Sequence, residues 1–73
     1  MENLTISIKD DFIKLGQALK LANLAADGVQ AKIAINDGLV KVNDEIEFRR
    51  GRKIKAGDQI YFKNTKITVV GKE

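Results

Sequence analysis

The chain has 73 residues, 44% of them hydrophobic and 32% charged, with no Cys, no His and a formal net charge of +3 at pH 7. This length supports one small domain, spanning 1–73, and the missing Cys and His exclude disulfides and a His/Cys metal site and remove the commonest acid/base and nucleophilic side chains. No apolar run approaches the ~18 residues of a membrane span and no signal-peptide pattern is present, so the expectation is a cytoplasmic, non-enzymatic protein with no cofactor and no membrane partner.

Leu4-Thr5-Ile6-Ser7-Ile8 alternates apolar and polar residues, the period of a half-buried strand. Asp10 and Asp11 mark a break and read as helix-entry residues. Leu15, Ala18, Leu19 and Ala22 then recur at three- and four-residue spacing, which gives a first helix one apolar face. Asn23 can end it, because Asn tolerates the left-handed conformation found at helix C-termini. Asp27 can cap a second helix, with Gln30 returning a hydrogen bond to the Asp27 amide as a capping box. Val29, Ile33 and Ile35 are expected on its buried side, and Gly38 or Asn36 at its end can take positive φ.

At Leu39 the period changes from three/four to two. Leu39-Val40-Lys41-Val42 reads as a strand, Asn43-Asp44 as a tight turn, and Glu45 to Arg49 as the return strand. On that strand Ile46 and Phe48 are expected inside, with Glu45 and Glu47 both facing solvent. Ala56-Gly57-Asp58 makes another turn. Ile60 and Phe62 alternate around an outward Tyr61, Lys63 to Lys66 turn, and Ile67 and Val69 belong to a last strand. Phe12, Phe48 and Phe62 are expected in the core, since so small a domain needs its aromatics inside. Lys63, Lys66 and Lys72 read as strand-edge charges that discourage sheet-to-sheet association. The order β, α, α, then short β segments describes an α+β domain.

The charge is unevenly distributed. Residues 1–47 carry five Lys against eight Asp or Glu, net −3, whereas residues 48–72 carry three Arg and five Lys against Asp58 alone, net +7. The centre of this asymmetry is Phe48-Arg49-Arg50-Gly51-Arg52-Lys53-Ile54-Lys55, with five cations and no acid between positions 49 and 55. A guanidinium grips a phosphate through two parallel hydrogen bonds, so the tract suggests a polyanionic partner. The plainer reading is a solubilising loop.

Lys14-Leu15-Gly16-Gln17-Ala18-Leu19, Asn23-Leu24-Ala25, Asp27, Ala31-Lys32, Ile35, Gly38, Val40, Val42-Asn43 and Gly57-Asp58-Gln59-Ile60 together resemble the S-four RNA-binding domain over a motif core of about 14–60. Leu19-Lys20, Ala31 to Ile35, the basic tract and the N-terminal strand are most similar to its short stand-alone members of the YaaA/YbcJ type. Where the family carries Arg and Asp at the start of the first helix, this chain has Lys14 and Gly16. The family's Ser-Arg pair is here Asp27-Gly28. The resemblance implies two short helices packed on a small antiparallel sheet, the alpha-L motif, with an added N-terminal strand. It also implies non-catalytic binding of structured RNA, ribosomal RNA foremost; the chain is expected to be a monomer.

The candidate RNA-binding residues are Lys14, Lys20, Lys32, Arg49, Arg50, Arg52, Lys53 and Lys55. A protein-interaction module whose basic face docks an acidic protein is the other reading. Tyr61 is a further candidate for stacking on a base.

Overall fold

The structure is a computed structural model, and it describes residues 1–71. Lys72 and the expectation placed on it lie outside the described residues. In chain order the elements are β1 (Glu2–Ile8), β2 (Ile13–Lys14), α1 (Leu15–Leu21), α2 (Gly28–Asn36), β3 (Lys41–Val42), β4 (Glu45–Ile46), β5 (Lys53–Ile54), β6 (Gln59–Phe62) and β7 (Thr65–Gly71). Five strands form one sheet in the order β1-β7-β6-β3-β4, and β2 pairs with β5 in a separate two-stranded ribbon.

The main sheet is mixed. β1 runs parallel to β7, in register from Glu2↔Thr65 to Ile8↔Gly71, while β7–β6, β6–β3 and β3–β4 are antiparallel. Hairpins enforce antiparallel pairing between neighbours in sequence. β1 is joined to its partner by the whole intervening chain and is free to run parallel. The register places Leu4 and Ile6 beside Ile67 and Val69, so both strands bury the same face.

Two hairpin turns need left-handed residues. Asn43 and Asp44 have φ of 51° and 72°, and Lys63 and Asn64 have φ of 52° and 58°. Two successive positive-φ residues match the right-handed twist of the flanking strands. The second turn is thus only Lys63-Asn64, with Thr65 and Lys66 already in β7. Since β7 lies between β1 and β6, Lys66 stands on an interior strand and not on an edge.

Helix α1 buries Leu15, Ala18 and Leu19. It ends where Asn23 turns to φ 61° and the Leu24 N–H reaches back to the Leu19 carbonyl at 3.0 Å. Asp10 and Asp11 do not enter this helix. They sit in the bend after β1, and the cap position is Lys14, extended and with no side-chain cap.

Helix α2 begins at the expected cap. The Gln30 N–H donates to Asp27 Oδ1 at 2.9 Å. The return bond goes one residue further back, from the Ala26 N–H to Gln30 Oε1 at 3.1 Å. The buried residues of α2 are Ala31, Ala34 and Ile35, whereas Val29 and Ile33 are exposed. Two alanines let α2 approach α1 closely, and that rotation turns Val29 and Ile33 outward. Gly38 closes the helix at φ +75°.

The core joins Ile6 and Ile8 of β1, the small residues of both helices, Val40, Val42, Ile54, Ile60, Phe62, Ile67 and Val69. Phe12 is half-buried and Phe62 buried, but Phe48 is 59% exposed. No helix among the described residues is long and apolar enough to cross a membrane.

Candidate nucleic-acid interface

The segment after β4 inverts the expected burial. Glu47 is 7% exposed, while its neighbours Ile46 and Phe48 face out. Glu47 does not point into solvent because it is the acceptor around which the basic loop is wound. Its Oε2 takes the Arg49 backbone N–H at 3.1 Å and Arg49 Nε at 3.1 Å. Its Oε1 takes Arg49 Nη2 at 3.3 Å and Arg52 Nη1 at 2.9 Å. The hydrogen bonds from the Arg49 side chain hold the Glu47 carboxyl at a pKa of about 2, against the opposing pull of burial and with Arg52 and the Arg49 N–H adding to the effect. Two of the tract's three arginines therefore have a structural task.

The loop backbone serves α1. The Leu15 N–H donates to the Arg52 carbonyl at 2.9 Å and the Gly16 N–H to the Arg50 carbonyl at 3.0 Å. These carbonyls satisfy donors that a helix start leaves open, which explains why Lys14 needs no capping side chain. Gly16 makes this possible: a Cβ there would lie 2.7 Å from Arg50 Cγ. The aliphatic stem of Arg50 occupies the space over α1 that a larger residue would fill.

The tract continues into β5, where Ile13 pairs with Ile54 and Lys14 with Lys53. The ribbon thus carries Lys14, nearly forty positions away in sequence, to the edge of the tract. Lys53 Nζ lies 4.9 Å from the Phe12 ring centroid. Beyond the ribbon, the Lys55 N–H donates to Asp58 Oδ2 at 2.8 Å, and Asn43 Nδ2 donates to Asp58 Oδ1 at 3.0 Å. Burial pushes the Asp58 carboxyl up. Those two donors and the charges of Arg52 and Lys55 outweigh it and hold the carboxyl below its usual range.

The result is an open groove of about 610 Å³ lined by Arg49, Gly51, Arg52, Lys53 and Lys55. Lys14 and Arg50 stand beside it through the β2–β5 pairing and the contact with Gly16. Lys20 sits in the last turn of α1, and Lys32 is exposed on α2 next to Val29 and Ile33. Lys20 is six residues, or roughly 9 Å of helix rise, from Lys14. Glu47 was not among the candidate residues. Its signal is an acid directly before a run otherwise free of acids, two residues from Arg49.

A family model described as S4 domain matches residues 6–70. The chain belongs to the S4 domain family. Among relatives of this S4 domain, RlbA of Bacillus subtilis (strain 168), named for ribosome maturation, is 47% identical over 55 residues, covering 75% of this chain and 78% of that one. YbcJ of Escherichia coli (strain K12), named for RNA binding, is 40% identical over 62 residues, covering 85% and 89%. The solution structure of the E. coli YbcJ matches with a TM-score of 0.68 at 37% identity, over 96% of this chain and 87% of that one. It is described as revealing an alpha-L motif involved in RNA binding. The two helices on their sheet are this motif's fold.

Proposed function

We propose that this S4 domain binds structured RNA, ribosomal RNA foremost, without catalysis and as a cytoplasmic monomer. The phosphate-binding face is the groove around the 49–55 tract, joined by Lys14. The observation that carries this reading is the loop itself: a buried carboxylate fixes two guanidiniums, the backbone is spent on α1, and Arg49, Arg52, Lys53 and Lys55 line one open groove. Lys14 and Lys53 face each other in register. Like charges directly opposite on a ribbon destabilise it, and a phosphate between them removes the repulsion. A-form RNA hides its base edges in a deep, narrow groove, so a face of this kind reads shape and backbone. Relatives named for RNA binding and ribosome maturation support the same partner class. Lys20 and Lys32 extend the face along the two helices.

The test must spare the Glu47 frame. Replacing Arg49 and Arg52 would leave a buried carboxylate unpaired and confuse folding with binding. The variant of choice replaces Lys14, Arg50, Lys53 and Lys55 with Gln, because none of these side chains makes an ion pair among the described residues. Four phosphate contacts give a slope of log affinity against log salt of roughly −3 to −4 on a duplex. The variant's slope should be shallower by nearly that amount, with a similar loss across RNA sequences. Unchanged affinity and slope in the folded variant would reduce the tract to a solubilising loop. Competition by heparin as effective as by structured RNA would favour an acidic protein partner.

A further inference from the structure

We propose that the outer face of the five-stranded sheet is a second RNA surface, which takes an unpaired, single-stranded segment by stacking a base on Tyr61 between Lys41 and Lys66. The strand registers put Asn3, Lys66, Tyr61, Lys41 and Ile46 in one rank across the sheet. Facing residues of paired strands project to the same side. Their neighbours along the strands, Val42, Ile60, Phe62 and Ile67, are buried against the helices. The rank is therefore on the side away from α1 and α2, opposite the core. Strand spacing places Lys41 and Lys66 roughly 10 Å apart with the ring between them.

Tyr61 is half-buried, and its Oη donates to Gln59 Oε1 at 3.0 Å, which fixes the ring on the sheet. Beside it runs an open groove of about 360 Å³ whose lining includes Leu39, Lys41, Tyr61 and Lys63 and one acid, Asp44 of the β3–β4 turn. At the β4 end, Leu39, Ile46 and Phe48 are 59%, 50% and 59% exposed. The bond from the Glu47 N–H to the Val40 carbonyl, 3.0 Å, continues the β3–β4 ladder and sets Phe48 on this same side, while Leu39 stands at the end of the sheet and also lines a groove with Ile33 and Ala34 of α2.

Charge selects the occupant. At the outward positions of the strands the charged residues are Lys41 and Lys66, both cationic. Glu45 pairs with buried Val42 and lies on the other side. A second copy of this chain would bring lysine against lysine. A single-stranded nucleic acid offers what the rank lacks, an anionic backbone with apolar base faces. A blunt A-form duplex keeps its bases stacked inside and has none to give.

The chain has one Tyr and no Trp, so the Tyr61 ring gives an isolated NMR signature. Adding an unstructured ten-nucleotide oligoribonucleotide should move the ring protons upfield, and a blunt RNA duplex should leave them in place. The Lys14, Arg50, Lys53, Lys55→Gln variant should lose duplex affinity yet keep the Tyr61 shift. This separates the sheet surface from the tract whichever of the two readings fails. Tyr61→Leu, which keeps apolar bulk without a stacking ring, should weaken the oligonucleotide about tenfold. Lys41→Gln with Lys66→Gln should flatten its salt slope by roughly 1.4, two phosphates on a single strand. The proposal is overturned if the ring does not respond at saturating oligonucleotide. It is also overturned if the duplex moves the ring equally, or if the tract variant abolishes the shift. A response to an acidic, apolar peptide but not to the oligonucleotide would make the surface a protein-docking face and equally overturn it.

Discussion

Residues 59–62, Gln-Ile-Tyr-Phe, and residues 45–48, Glu-Ile-Glu-Phe, carry the same alternation of polar and apolar side chains, and the fold treats them differently. In the β6–β7 hairpin the apolar set Ile60, Phe62, Ile67 and Val69 is buried, and Tyr61, Lys66 and Thr68 are turned away. In the second region the apolar set Ile46 and Phe48 is exposed and Glu47 is buried. The hairpin lies inside the sheet, where β6 and β7 are paired on both sides and their burial phase is dictated by the core. β4 is an edge strand of two residues. After it the chain is governed by the ion pairs of Glu47 with Arg49 and Arg52. A strand period therefore shows that side chains alternate. Which set goes inward depends on what each set can bond to, and a carboxylate with two guanidiniums can displace an Ile and a Phe.

The largest expected effect tests that contrast directly. Phe62→Ala should destabilise the domain by about 3–5 kcal/mol, as a buried Phe truncation does. Phe48→Ala should cost under about 1 kcal/mol, because the residue is mostly exposed and its ring lies beside Gly38 at the surface. Urea denaturation of the two variants makes the comparison. Equal losses would mean that Phe48 is a core residue and that the inversion at Glu47 is wrong.

Next in size is Gly38→Val, on the order of 1–3 kcal/mol. Gly38 has φ +75°, where a β-branched residue is strained and an added Cβ would meet Phe48 Cε1 at 3.3 Å. Gly28→Ala is the control, since it has no atom within 4 Å of the added Cβ and should be neutral or slightly stabilising. An unchanged melting temperature in Gly38→Val would remove the turn that aligns α2 with β3.

Acid titration probes the second region alone. The Glu47 carboxyl is depressed to about 2 in the folded chain, below its ordinary unfolded value. Its contribution is therefore fully present above about pH 4.5 and is lost as the pH falls toward 2. Arg49 is 75% exposed at its side chain, so solvent screening reduces the contribution to about 1–2 kcal/mol. Asp58 is shifted in the same direction and adds to the same acid loss. Glu47→Gln should lower stability at pH 7 and flatten the profile between pH 4.5 and 2. A profile identical to that of the parent chain would mean that Glu47 is not ion-paired in solution.

Much of the fold was legible because it rests on local chemistry. The span of α2, its Asp27 cap, the left-handed Asn23 and Gly38, and the Asn43-Asp44 turn each follow from residues within a few positions of one another. The parallel β1–β7 pairing and the β2–β5 ribbon join residues tens of positions apart, and no short-range pattern encodes them. The outward turn of Val29 and Ile33 has the same origin, because α2's rotation is set by how closely Ala31 and Ala34 let it approach α1. Among the candidate site residues, the density of Arg49, Arg50, Arg52 and Lys53 was visible. That two of them are spoken for by Glu47, and that the loop's carbonyls cap α1, depends on tertiary contacts.

The smallest stability effect belongs to Gly16→Ala, yet it links both regions of the site. Alanine favours the helix by up to about 1 kcal/mol over glycine. Its Cβ, however, would stand 2.7 Å from Arg50 Cγ, and that atom is close to the backbone, so Arg50 must leave the surface of α1. The two terms oppose each other, and net stability should change by no more than about 0.5 kcal/mol. The Arg50 side chain should nevertheless move, and affinity for structured RNA should fall severalfold with a slope shallower by about one contact. Unchanged affinity and slope in Gly16→Ala would show that Arg50 reaches its phosphate from any position. The glycine would then be a packing accommodation and not part of how the tract is aimed.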